Sequence, residues 1–171
     1  LQSGCDATLK RMNRRYTSAE YYEKCRILRK YFENPALTTD VIVGFPGETQ
    51  EEFEESLAFV DRVNFYETHI FKYSRREGTK AAVMPDQIDE KVKAQRSARM
   101  IALGEQKQRA YEQSFIGKEV EVLIEEDALI DGKMMQTGHT KEYMKIALEK
   151  KENLKNCVIK VQIDSDLQII H

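Results

Sequence analysis

The sequence predicts an α/β unit built on a parallel sheet, followed by a small antiparallel β-barrel. Three observations lead there. First, a β-branched run, Val41 to Val43, stops at Gly44, passes through Pro46-Gly47 and meets Thr49-Gln50-Glu51-Glu52. Thr49 with Glu52 three residues on is a capping box, so the stretch reads strand, tight turn, helix. Second, helix, strand, helix, strand follow one another between Thr17 and Tyr73, the rhythm of a parallel sheet with right-handed crossovers. Third, from Lys118 the apolar pattern switches to period two, with turn residues between short runs.

Taken in order, Leu1 to Asp6 reads as a strand end entering a loop. Ser3-Gly4 there is either a close backbone approach to a ligand or a plain turn. Ala7 to Met12 suits one or two helical turns. Thr17-Ser18-Ala19-Glu20 is a second capping box, opening a helix to about Phe32. Tyr21, Cys25, Leu28 and Phe32 recur at helical spacing and are expected to face the core. That makes Cys25 a core cysteine. Asn34-Pro35 ends the helix. Leu37 to Val43 is the buried strand. The helix after Thr49 sets Phe53, Leu57, Val60 and Val63 against Glu51, Glu54, Glu55 and Asp61. Glu67 to Tyr73 is the next strand. Pro85-Asp86 is expected to begin a long helix with Asp86 as its cap, and the patchy stripe Ile88, Val92, Ile101 and Leu103 suits a surface connector.

Beyond Gly117, Glu119 to Ile124 alternates, Asp131-Gly132 is a turn, Gly138-His139-Thr140 punctuates, and Tyr143 to Leu148 and Val158 to Ile163 read as further strands. The domains are therefore residues 1–113, a parallel α/β part with a connector helix, and residues 114–171, a small β-barrel near the lower size limit for an independent core.

Composition bounds the function. The chain has 171 residues, 41% hydrophobic and 33% charged, which fits a soluble folded protein. No apolar run approaches a membrane span, so no membrane partner is expected. The opening Leu1-Gln2-Ser3-Gly4-Cys5 has no start methionine, basic region or apolar region, reading as the middle of a larger protein without a secretory signal. Three cysteines, Cys5, Cys25 and Cys157, match no metal spacing and leave one over, which favours the reducing cytoplasm over a disulfide framework. Net charge is −2, and Lys10, Arg11, Arg14 and Arg15 form the tightest basic group. It is either a phosphate contact or a solvated face. The last part, from Phe115, is mildly acidic and lacks arginine.

Three polar, glycine-containing segments fall at strand carboxyl ends: Gln2-Ser3-Gly4, Gly44-Phe45-Pro46-Gly47-Glu48 and Ser74 to Thr79. In parallel sheets and barrels such ends share one rim, which favours a ligand site over simple turns. No Gly-Lys-Ser/Thr follows Gly44, which excludes a P-loop, and the dinucleotide fingerprint is incomplete. Arg75 and Arg76 suit a carboxylate or phosphate, or are surface arginines. Tyr143 and His139 suit base stacking, against the plainer reading of a core tyrosine and an exposed histidine.

Four motifs occur together and in order: Leu1-Gln2-Ser3-Gly4, Leu9-Lys10-Arg11-Met12-Asn13-Arg14, Thr39 to Thr49, and Tyr73-Ser74-x-Arg76-x-Gly78-Thr79. On these the chain resembles the radical S-adenosylmethionine methylthiotransferases over essentially its whole length. The loop Gly4 to Tyr16 resembles the branch acting on N6-threonylcarbamoyladenosine in tRNA. The resemblance implies that residues 1–113 are the carboxyl-terminal part of a partial TIM-type radical barrel, and that the terminal part is a TRAM domain. It implies S-adenosylmethionine bordered by Gln2, Ser3, Gly4, Gly44, Pro46, Gly47 and Arg76, and tRNA contacted by Lys10, Arg11, Arg14 and Arg15. It implies two [4Fe–4S] clusters, one on a Cys-x3-Cys-x2-Cys loop, a 5′-deoxyadenosyl radical, and a 2-methylthio group on adenosine 37. This chain has no such loop, and cluster ligation needs closely spaced thiolates. It is thus expected to be a fragment without a catalytic residue or metal ligand of its own, inactive alone and prone to self-association through uncovered strands. The alternatives are a ribosomal-protein aspartate methylthiotransferase and a non-catalytic RNA-binding module.

Overall fold

A computed structural model describes residues 1–150, 152–164 and 168–170. The chain forms two compact units, Leu1–Gln108 and Arg109–His171. In the first, α1 (Asp6–Arg11) and α2 (Ser18–Tyr31) precede β1 (Thr38–Val43). Then come α3 (Gln50–Val63), β2 (Glu67–Lys72), a short 3-10 turn (Lys80–Val83) and α4 (Glu90–Gln113). β1 and β2 pair in parallel, Thr38 opposite Glu67 through Val43 opposite Lys72. The βα crossover that the Val41–Glu52 pattern predicts is therefore present. Residues 1–3 run beside the other edge of β1, where Ile42 N–H donates to Gln2 O at 2.9 Å.

Both predicted capping boxes close. Thr17 and Thr49 each accept from the backbone N–H three residues on, and Glu20 and Glu52 reach back to the cap N–H groups. Alternation along β1 sorts its side chains. Val41 and Val43 point into the core with Phe53, Val60, Val63, Phe65 and Met100. Asp40 and Ile42 point to the opposite face. Each fully buried side chain of this kind contributes roughly 1.5–3 kcal/mol.

Three expectations need correction in this unit. The α2 stripe is only half inside: Cys25 is buried, while Leu28 and Phe32 are 41% and 60% exposed, beside exposed Ile27 and Tyr31. Periodicity shows which side of a helix is apolar, not what covers it. The long helix starts at Glu90, not Asp86. Asp86 has φ +56° and gives its carbonyl to Gly47 N–H, and the Asp89 carboxylate accepts from Lys91 N–H as the real cap. And α4 is no plain surface connector, since Met100, Lys93 and Arg96 are all buried.

The second unit is an antiparallel sheet of β3 (Glu119–Ile130), β4 (Lys133–Thr140), β5 (Lys145–Glu149), β6 (Val158–Gln162) and β7 (Gln168–Ile169). Its order is β6-β3-β4-β5-β7. Among the described residues no ladder joins β6 to β7, so the small barrel that the sequence predicts is not closed among them and forms an open sheet. Asp131 and Gly132 have φ +50° and +76° and form the two-residue hairpin between Ile130 and Lys133. Val120, Val122 and Ile124 face inward with Met144, Ile146 and Ile163. Gly138 lies inside β4 rather than in a turn. It faces a β-bulge between Ile124 and Glu126, where a Cβ would stand 1.9 Å from Leu123 O. The reversal falls after Thr140, whose hydroxyl accepts from Glu142 and Met144 N–H.

Candidate functional site

The outward face of the β1–β2 pair floors a cleft of about 550 Å³, in the range of small-molecule sites. Asp40 and Ile42 from β1 and Phe71 and Lys72 from β2 lie beneath it; Gln2, Phe45, Tyr73, Ser74, Arg76 and Thr79 stand at its rim, and Arg14 reaches it from the basic loop. Each of the three predicted rim segments thus contributes a residue to one cleft, although only the second and third follow strands, residues 1–3 being extended chain beside β1.

The segments contribute unevenly. Gln2 is held by Tyr16, whose hydroxyl donates to Gln2 Oε1 at 2.8 Å. Ser3 and Gly4 turn away from the cleft lining. Ser3 Oγ accepts from Cys5 N–H, Gly4 N–H donates to Ser56 Oγ at 2.8 Å, and a Cβ on Gly4 would lie 2.4 Å from Phe59 Cβ. Their smallness serves packing against α3. Gly44 and Gly47 take φ +72° and +76°, conformations glycine adopts without strain. Gly44 N–H donates to Glu48 Oε2 at 2.7 Å, and Pro46 is buried. The side chain this turn presents to the cleft is Phe45, which meets Tyr73 edge-on with ring centroids 5.2 Å apart. Arg76 lines the cleft, and its carbonyl accepts from Thr79 Oγ1 at 2.7 Å.

The basic loop divides too. Lys10, Arg14 and Arg15 are exposed. The Arg11 guanidinium is committed to both carboxylate oxygens of Glu52 and to Thr8 Oγ1. Asn13, at φ +58°, turns the chain between these two groups.

Glu48 and Arg96 form a buried ion pair behind the turn. Arg96 Nη1 donates to Glu48 O at 2.9 Å and to Oε2 at 2.7 Å. Burial pushes the Glu48 carboxyl above its ordinary value, while Gly44 N–H and Arg96 pull it down. The lysine one turn earlier, Lys93, passes its stem under Gly44 and donates from Nζ to Tyr73 O at 3.1 Å. Sequence reasoning missed Phe45, Tyr73, Lys93 and Arg96. The capped turn flagged the first; no local signal marks the last two.

The cleft fits an adenosine-bearing cofactor on this structure's own terms. It combines the aromatic faces of Phe45, Phe71 and Tyr73 with the polar side chains of Gln2, Asp40, Ser74 and Arg76. An iron–sulfur cluster does not fit the donor set. Among the described residues no group of three His, Cys, Asp or Glu side chains is placed to hold a metal ion. Cys5 and Cys25 are buried, with burial raising both thiols, and Cys157 is exposed.

The model of the Radical SAM superfamily matches residues 1–60, which carry α1 through the Gly44–Glu48 turn and into α3. The threonylcarbamoyladenosine tRNA methylthiotransferase of Bacillus subtilis is 41% identical over 164 residues, covering 95% of this chain and 36% of the relative. These matches point to the radical SAM methylthiotransferases, to which the chain is similar over nearly its whole length. Two tRNA-2-methylthio-N(6)-dimethylallyladenosine synthases are similar as well. That of Oceanobacillus iheyensis is 43% identical over 142 residues, covering 83% of this chain and 27% of the relative. That of Alkaliphilus oremlandii is 39% identical over 162 residues, covering 95% and 34%. The chain therefore spans about a third of the length of the curated relatives it matches. Among the described residues no helix is long and apolar enough to cross a membrane.

In the second unit His139 Nδ1 lies 2.7 Å from Glu125 Oε2, and its ring stacks on Tyr143 at 5.6 Å. Tyr143 is 57% exposed with φ +68°, so the expected core tyrosine is instead a surface ring on a strained turn.

Proposed function

We propose that this chain is the cofactor-wall and terminal part of a tRNA methylthiotransferase acting on N6-threonylcarbamoyladenosine 37. The observation that carries the reading is the cleft itself, where Gln2 beside the edge of β1, Phe45 after β1, and Tyr73, Ser74 and Arg76 after β2 meet over one sheet face. That uncovered face supports a partial TIM-type barrel for residues 1–113. Residues 114–171 would be a TRAM domain, read here as an open sheet.

In this reading S-adenosylmethionine lies along the cleft, bordered by Gln2, Ser3, Gly4, Gly44, Pro46, Gly47 and Arg76. Gln2 and Arg76 touch it, and the others shape the backbone. When bound, it supplies the radical and the methyl group. Gln2, oriented by Tyr16, offers an amide; Phe45 and Tyr73 exclude water from one side; Arg76 offers a cation to a carboxylate. The clusters, two [4Fe–4S] in the intact enzyme, would be held by residues outside this chain, so the chain alone is inactive. Lys10, Arg14 and Arg15 contact the tRNA backbone, with Arg11 holding their loop. The enzyme works in the cytoplasm. The isolated chain self-associates through its uncovered apolar surface; light scattering giving a monomer at every concentration would overturn that part.

A second substrate has support, because two of the relatives carry dimethylallyladenosine in their names at comparable identity. The test is to give the intact protein tRNA bearing either modification, and ribosomal protein separately, and to read the products by mass spectrometry. A methylthio group on threonylcarbamoyladenosine alone supports the reading. One on dimethylallyladenosine moves the substrate, and one on an aspartate of ribosomal protein overturns it.

A further inference from the structure

We propose that α4 is a brace that sets the two rim loops of the cleft against each other, and that Lys93 and Arg96 are its positioning residues. This rests on reading the cleft as the binding site, and adds the element that gives it its shape.

Two cations on one helix, three residues apart, are on the same face. Both are at least nine-tenths buried, Lys93 at 5% and Arg96 at 6% exposed. Burying a charge is unfavourable unless it is paired, and an apolar pair would pack this face without that penalty. What the charges reach explains their presence. Arg96 takes the loop after β1: Nη1 donates to Glu48 O and Glu48 Oε2, and the same Oε2 accepts from Gly44 N–H. One carboxylate thereby closes the turn on itself and ties it to α4. Lys93 takes the loop after β2: Nζ donates to Tyr73 O at 3.1 Å and to Glu90 Oε1 at 2.5 Å.

The lysine stem also couples the two loops. A Cβ on Gly44 would lie 2.3 Å from Lys93 Cγ, so the β1 turn rests directly on the side chain that holds the β2 end. A third tie, Gly47 N–H to Asp86 O at 2.9 Å, comes from the segment leading into the helix. Phe45 sits between Gly44 and Glu48, and Tyr73 carries the carbonyl that Lys93 grips. The Phe45–Tyr73 corner of the cleft is therefore placed by α4. Neither cation is itself among the residues that line the cleft. They act through the residues they hold.

The test uses the intact protein with Arg96→Met, Arg96→Lys, Lys93→Met and Glu48→Gln, and Arg99→Met as the control on the exposed Arg99–Glu54 pair of the same helix. Hydrogen exchange is followed in residues 43–49, 72–78 and the core reference 53–63, and affinity is measured with S-adenosylhomocysteine as a non-reactive probe. Arg96→Met is expected to speed exchange of 43–49 about tenfold, and Lys93→Met that of 72–78, with 53–63 unchanged. Each weakens the probe about tenfold, Arg96→Lys recovers part of the loss, and Arg99→Met changes nothing. If Arg96→Met fails to fold, Glu48→Gln, which keeps side-chain shape and removes the charge, reads the same loop. Unchanged rim exchange overturns the brace, as does acceleration spread equally over 53–63, which is the signature of general stability. If the rim segments respond as expected and the wild-type protein binds no probe, the brace stands and the cofactor reading of the cleft fails.

Discussion

Arg11 and Glu52 join α1 to the first turn of α3, the guanidinium facing both carboxylate oxygens. The same carboxylate accepts Thr49 N–H at 3.0 Å, so one side chain caps a helix and anchors the basic loop. That double duty predicts a pH dependence. Burial raises the Glu52 carboxyl, and Arg11, Thr49 N–H and Thr8 outweigh it, holding the group below its ordinary value. A depressed folded value means the stabilisation is present above the unfolded carboxylate range, near pH 4.3, and is lost as pH falls through the folded value. Urea unfolding of wild type and Glu52→Gln is expected to differ by on the order of 1 kcal/mol at pH 7, converging in acid. A gap independent of pH would contradict it.

Thr49 makes a separable prediction. Its hydroxyl accepts from Glu52 N–H at 3.2 Å, half of the capping box. Thr49→Ala is expected to destabilise the first unit by about 1 kcal/mol, and Thr49→Ser by a few tenths of that. Denaturant midpoints at constant slope check both. Equal losses for the two variants would show that the methyl group, not the cap, matters.

These caps and β1 were legible because their signals are local: a hydroxyl, a carboxylate three residues on, an alternating run. The brace was not. Arg96 meets Glu48 across 48 residues. A lysine and an arginine in a charged helix read as a solvated face until the loops that cover them are in place. Leu28 and Phe32 failed in the opposite sense, since their spacing marks an apolar stripe but cannot say whether anything packs on it. The three rim segments are marked by their glycines and serines, yet no glycine lines the cleft, and its aromatic corner is made by their neighbours: Phe45 beside Gly44, Tyr73 before Ser74. Glycine marks where backbone turns sharply, and the adjoining side chain takes the direction the turn creates. In the second unit, alternation gave strands but not closure, which depends on strand ends far apart in sequence.

Gly138 shows how a misread punctuation mark becomes a structural requirement. It sits opposite Ile124 at the bulge, with Leu123 O where a Cβ would be. Gly138→Ala must therefore push backbone against backbone rather than displace a flexible side chain. A loss of roughly 3 kcal/mol is expected, the upper part of the overpacking range. Gly132→Ala, with open space around it but φ +76°, is expected to lose less, about 1–2 kcal/mol. Thermal unfolding followed by the exposed sheet's far-ultraviolet signal would rank them, and the reverse order would refute the close-approach account.

The basic loop offers the sharpest contrast between residues that share a charge. Lys10, Arg14 and Arg15 are exposed, whereas Arg11 is bound to Glu52. If the loop meets tRNA phosphates, each exposed cation that does so releases counterions and adds about 0.7–0.9 to the slope of log affinity against log salt. Arg14→Ala and Arg15→Ala are expected to lower that slope by about one unit each, weakening different tRNAs alike and leaving stability unchanged. Arg11→Ala is expected to act differently. It strands Glu52 half-buried without its partner, so it lowers stability, and it reduces tRNA affinity only as far as the loop loses its anchor. Fluorescence titrations of the intact protein from low to moderate salt, paired with unfolding curves, separate the two behaviours. Unaltered slopes in Arg14→Ala and Arg15→Ala would remove the loop from the tRNA interface. An Arg11→Ala slope change equal to theirs, with no stability loss, would mean that the Glu52 pair opens for RNA.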